Sequence, residues 1–92
     1  MNILKYQMMD ASSSHITESD ADLLTNGETD VIAHAYEFGW LVMIDPELDG
    51  ELLYGYSDAF QNLYKIAYAG DCQYLLLDAD AKIYDELPQF DW

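Results

Sequence analysis

Residues 57–77 read SDAFQNLYKIAYAGDCQYLLL, and a change of hydrophobic period inside this stretch decides the fold class. Ser57 is an N-cap residue type, whose side-chain oxygen accepts a bond from an early helical N–H. Behind it Phe60, Leu63, Tyr64 and Ala67 fall at i, i+3, i+4 and i+7, the apolar stripe of a helix that buries one face. Gly70 closes that helix. Tyr74 to Leu77 then forms a short apolar run that reads as a strand. The stretch predicts a chain that mixes helices with sheet.

Upstream, residues 3–9 (ILKYQMM) alternate, with Leu4, Tyr6 and Met8 on one side and Lys5 and Gln7 on the other, which predicts a strand. Asp10 to His15, with serine at 12, 13 and 14, reads as a polar loop. Thr17 offers an N-cap, with Asp20 three residues on as a shorter relative of the capping-box glutamate. The helix so begun runs through Leu23 and Leu24 to a stop at Gly27. Val31 to Phe38 is rich in strand formers, and Gly39 separates it from Trp40–Ile44, a hairpin pattern. Residues 45–51 (DPELDGE) form a solvated loop, and a weak last strand is expected near Ile83 and Tyr84. The order β-α-β-β-α-β predicts an α+β domain over residues 1–92, with a ferredoxin-like sheet carrying two helices on one face.

Charge narrows the function. The 92 residues hold 18 carboxylates against 3 lysines and no arginine, a formal charge of −15. Such a surface repels nucleic acid, phosphorylated substrates and anionic membranes, and attracts basic proteins. With 51% apolar and 14% aromatic residues, the chain is too apolar for an acidic disordered tail. Cys72 is the single cysteine, so no internal disulfide forms. The first ten residues are too short and interrupted in their apolar character for a signal peptide, and no run approaches the ~20 apolar residues of a membrane span. A cytoplasmic protein is the expectation.

Several segments resemble a family of short acidic proteins of unknown function carried on plasmids and phages. They are His15-Ile16-Thr17 with Asp20 and Leu23-Leu24, Tyr36-Glu37-Phe38-Gly39-Trp40, Gly55-Tyr56-Ser57-Asp58-Ala59-Phe60, Cys72-Gln73-Tyr74-Leu75 running into Leu77-Asp78-Ala79-Asp80, and the closing Leu87-Pro88-Gln89-Phe90-Asp91-Trp92. Relatives often carry arginines in the strand and turn that match residues 75–81, where this chain has Leu76, Ala79 and Ala81. The family supplies no catalytic residues to carry over. The resemblance implies a mobile-element accessory protein, of a kind that counters host defence.

The chemistry-bearing candidates each meet a plainer account. Asp45, Glu47, Asp49 and Gly50 have the opening spacing of a calcium loop, but position 12 is Tyr56 rather than glutamate and position 9 is Leu53, so a solvated acidic loop is expected. Asp78 and Asp80 with Lys82 have the residue types of a nuclease centre, yet a chain at −15 is poorly equipped to hold a polyanion. That segment is read as a polar turn. Cys72, His15 and His34 come from three elements without a catalytic signature; Cys72 is read as a small core residue, His34 as a partnered structural side chain and His15 as an aid to the first helix cap. No catalytic residue, metal or cofactor is assigned.

The remaining constellation is the acids themselves. Glu18, Asp20 and Asp22 sit on the first helix; Asp45, Glu47, Asp49 and Glu51 in the loop; Asp78 and Asp80 after the last clear strand; Asp85 and Glu86 near the end. Tyr54 and Tyr56 lie next to the acidic loop, and rings beside carboxylates suit arginine. Duplex DNA carries one charge per ~1.7 Å of axis, a density that 18 carboxylates on a small domain approach. These residues are expected to face a basic protein surface of a nucleic-acid-binding host complex, by imitation of nucleic acid. The expected class is a non-enzymatic inhibitor of the anti-CRISPR or antirestriction type. The alternative is an accessory or oligomer-forming protein whose acidity serves solubility.

Overall fold

The computed structural model describes residues 1 and 3–92. Strand β1 is Met8–Ser12, α1 is Glu18–Asn26, β2 is Ala33–Tyr36, β3 is Gly39–Met43, α2 is Asp58–Ala69 and β4 is Tyr74–Asp78. The α+β class and the β-α-β-β-α-β order are those expected. The sheet order is β1-β4-β3-β2, with β1 parallel to β4 and the other two pairs antiparallel. This corrects the ferredoxin-like detail. A split βαβ unit would insert a strand between β3 and β4; here α2 joins direct antiparallel neighbours.

Both helix caps form as their sequences dictate. The Thr17 hydroxyl accepts from the Asp20 N–H at 3.1 Å while the Asp20 carboxylate accepts from the Thr17 N–H at 3.0 Å, a reciprocal capping box. Gly27 stops α1 in the left-handed conformation at φ 67. Ser57 caps α2, and its stripe of Phe60, Leu63, Tyr64 and Ala67 is buried. At the far end Gly70 has an ordinary φ of −87 and the left-handed residue is Asp71, at φ 59.

The helices share one face of the sheet. Their buried residues form a single core with Ala11, Val42, Leu75 and Leu77, which the register places on that face. The Trp40 indole N–H reaches Thr25 of α1 at 3.1 Å. The β2–β3 hairpin turns tightly at Glu37 and Phe38, and Gly39 lies so close to β4 that a Cβ there would stand 1.7 Å from the Leu77 carbonyl oxygen. No side chain fits that gap.

Tertiary pairing shifts several expected boundaries. β1 begins at Met8 and takes in Asp10–Ser12, read above as loop, because Ala11 pairs with Leu77 and is fully buried. Residues 83–84 form no strand; instead the Lys82 carbonyl accepts from the Ser12 N–H at 3.0 Å, and the Tyr84 hydroxyl donates to the Asp10 carbonyl at 3.2 Å. The returning chain thereby covers the outer edge of β1. His15 is buried at the centre of this return. Its Nε2 accepts from the Tyr84 N–H at 2.9 Å, so the ring proton sits on Nδ1 and is donated to the Pro88 carbonyl at 2.7 Å. The Trp92 indole N–H donates to the Ile16 carbonyl at 2.9 Å and completes the clamp.

Candidate interaction surface

The acids divide into those that face water and one that does not. Glu18 and Asp22 are exposed on α1, Asp45, Glu47, Asp49 and Glu51 on the loop before α2, Asp80 on the turn after β4, and Asp85 and Glu86 on the returning chain. Asp20 is 1% exposed, which corrects its place in the acidic surface. Its carboxylate accepts from the Ser57 N–H at 2.8 Å and from the Ser57 hydroxyl at 2.5 Å, besides the Thr17 N–H. With its proton committed to Asp20, the Ser57 oxygen accepts from the Phe60 N–H at 3.2 Å. One carboxylate thus organises both helix N-termini, where backbone dipoles favour negative charge.

Tyr56 also leaves the candidate surface. It is 5% exposed, stacked on Phe60 with ring centroids 4.4 Å apart, and bonded through its hydroxyl to Thr29 at 2.6 Å. Burial pushes its phenol above the ordinary tyrosine value. Tyr54, by contrast, is 86% exposed.

The acidic loop is shaped by its own side chains. An Asp45 oxygen accepts from the Glu47 N–H at 2.8 Å, and an Asp49 oxygen accepts from the Glu51 and Leu52 N–H groups at 2.9 and 3.0 Å. These are Asx turns, in which aspartate side chains hold the backbone bend. The buried Tyr64 hydroxyl anchors the loop start, accepting from the Asp45 N–H at 2.7 Å. Among the described residues no group of three or more His, Cys, Asp or Glu side chains is placed to hold a metal ion.

The Asp78–Lys82 segment is a polar turn. One Asp78 oxygen accepts from the Asp80 N–H at 2.7 Å and the other from the Tyr36 hydroxyl. That bond lowers the Asp78 carboxyl below its ordinary range and pushes the Tyr36 phenol up to about 12, with burial and the charges of Asp78 and Asp80 adding to it. The Lys82 ammonium stands 5.2 Å over the Tyr84 ring. Cys72 is half-buried and borders an open depression of about 420 Å³ between α2 and the acidic loop. His15 is bonded at the opposite end of the fold, while His34 is exposed on β2 rather than held as a structural side chain. The structure assembles no nucleophile–base pair from these three.

The solvent-facing acids are dispersed. The loop containing Asp45 and the α2–β4 turn containing Asp71 lie where β3 ends and β4 begins, whereas Glu37, Asp78 and Asp80 lie at the other end of the sheet. With three lysines in the chain, at most three of its 18 carboxylates can each hold a lysine of their own. The rest have no lysine to neutralise them, and of these Asp20 is buried.

Among the described residues no helix is long and apolar enough to cross a membrane. The family model described as "Family of unknown function (DUF5983) C-terminal domain" matches residues 8–92. No curated protein and no solved structure matches.

Proposed function

The chain belongs to the DUF5983 C-terminal domain family, whose function is unknown, and we propose that it acts as a non-enzymatic interaction protein for a basic partner. The partner surface is a nucleic-acid-binding one, whose site the acidic protein occupies in place of the polyanion. An inhibitor of host defence, of the anti-CRISPR or antirestriction type and encoded by a plasmid or phage, is the biological form of this reading. The observation that carries it is the charge of −15 with 18 carboxylates and no arginine. Solubility alone is served by a net charge of roughly 2–8 with both signs mixed, and one-sided excess costs stability through self-repulsion.

Capture from host lysate at low salt, followed by competition against labelled duplex DNA for the captured complex, tests the reading. Competition should weaken steeply between about 50 and 500 mM salt. Capture that is insensitive to salt, or a captured complex that binds DNA equally well with the protein present, overturns it. The dispersal of acids over both ends of the sheet favours a second reading, in which the acidity keeps an accessory protein soluble and monomeric.

A further inference from the structure

The helices and the returning chain leave one face of the sheet without a covering layer among the described residues. The register aligns Ile32, Met43, Tyr74 and Met8 in one row across it, since Met43 bonds to Ile32 and pairs with Tyr74, which pairs with Met8. Beside them stands the row His34, Leu41, Leu76 and Asp10, and beyond it Tyr36 and Asp78. Ile32, Met8 and Met43 are 57%, 52% and 38% exposed. A polar face was available to evolution here, because side chains on this side take no part in the core. The apolar rows instead make the face a second packing surface.

Carboxylates border it. Asp10 and Asp78 stand on the face itself, while Asp30 and Asp45 join Ile32 and Met43 in lining a depression of about 170 Å³ at its corner. No strand position is lysine, and Lys65 lies on α2, in the other layer. Four strands at ~4.8 Å spacing and five residues at ~3.3 Å give a face of roughly 14 by 17 Å, or about 240 Å². A stable dimer needs about 800 Å² from each partner, and two copies at −15 repel. A single helix, about 10 Å wide, fits the face and covers its diagonal with about 15 residues.

We propose that this open face docks one amphipathic basic helix of a partner protein, its apolar stripe on Ile32, Leu41, Met43 and Leu76 and its arginines or lysines on Asp10 and Asp78. The proposal rests on the reading of the chain as a binder of basic proteins and assigns that contact to one surface. Tyr36 and Tyr74 add rings on which guanidinium groups stack.

The test uses a synthetic helix of about 15 residues with leucine on one side and arginine on the other, and a scrambled peptide of identical composition. Affinities for the full chain are measured by fluorescence anisotropy at low and moderate salt. The amphipathic peptide should bind at least about tenfold more tightly than the scrambled one, from the apolar area it buries. The triple variant Ile32→Ser, Met8→Ser, Met43→Ser should reduce that advantage to about twofold or less. Because all three side chains are solvent-exposed, its circular dichroism should stay native. A control triple, Ile3→Ser, Ile66→Ser, Ile83→Ser, removes exposed apolar groups elsewhere and should leave the advantage unchanged. Equal affinity of the two peptides with normal salt dependence overturns the face assignment while leaving the basic-partner reading intact. Absence of salt-dependent binding to either peptide overturns both. Sedimentation as a dimer that the first triple variant dissolves assigns the face to a second copy and likewise overturns the proposal.

Discussion

Replacing Asp20 by alanine should be among the most damaging single changes in this protein, although the residue looks like one surface acid among many. The side chain is 1% exposed and accepts three hydrogen bonds, from the Thr17 N–H, the Ser57 N–H and the Ser57 hydroxyl. Loss of the carboxylate's bonds to Thr17 and to the Ser57 hydroxyl costs about 1 kcal/mol at each helix N-terminus. The Ser57 N–H, left without an acceptor in a partly buried position, adds about 1–2 kcal/mol. The sum is about 3–4 kcal/mol, against a total stability of about 5–14 kcal/mol for a chain of this size. The melting temperature should fall by about 15–30 °C. Asp20→Asn keeps the shape but sets an amide N–H₂ against backbone and hydroxyl donors, so it should lose about 2 kcal/mol. Asp22→Ala, one helical residue pair away and exposed, should stay within about 0.5 kcal/mol of the parent. Urea unfolding followed by circular dichroism measures all three, with an unchanged slope showing that the midpoint shifts report stability. A loss below about 1 kcal/mol for Asp20→Ala in a natively folded variant refutes the shared-cap account.

Three further outcomes follow from other contacts. Gly39→Ala places a Cβ 1.7 Å from the Leu77 carbonyl oxygen, so thermal unfolding should show destabilisation of more than about 2 kcal/mol. Tyr36 should ionise at about 12 in the folded protein because its phenol proton is held by the Asp78 carboxylate, and Asp78→Asn should return the transition towards the ordinary value, as read by tyrosinate absorbance. The raised phenol value stabilises the fold below the ordinary tyrosine range and is lost as pH climbs through about 12; the lowered Asp78 value acts above the ordinary carboxylate range and is lost on acidification through its folded value. His15→Ala strands the Tyr84 N–H and the Pro88 carbonyl, so it should cost about 2–3 kcal/mol and open residues 82–92 to limited proteolysis.

Thr17 and Asp20, Gly27, Ser57 and the Phe60–Ala67 stripe announce two helices because caps and 3.6-residue periodicity act within a few residues of chain. The charge asymmetry, the hairpin around Gly39 and the short Tyr74–Leu77 strand are equally visible in sequence. Other features have no local signal. Residues 10–12 look like loop, and their strand pairing, with the burial of Ala11, comes from a partner strand some sixty residues away, through Ala11 and Leu77. The second function of Asp20 depends on Ser57 arriving from 37 residues on, which turned a presumed surface acid into a buried one. Tyr56 lies inside for the same reason, its ring taken by Phe60 and its hydroxyl by Thr29.

The sequence alone determined the α+β class, the order of elements, both helix starts and the excess of carboxylates over lysines. Tertiary structure decided the strand order, the clamp of residues 84–92 around His15, and which sheet face stays open. The physical reason is that caps and periodicity are short-range, whereas strand register, hydrogen-bond acceptors shared between helices and the covering of a face arise from residues that only folding brings together.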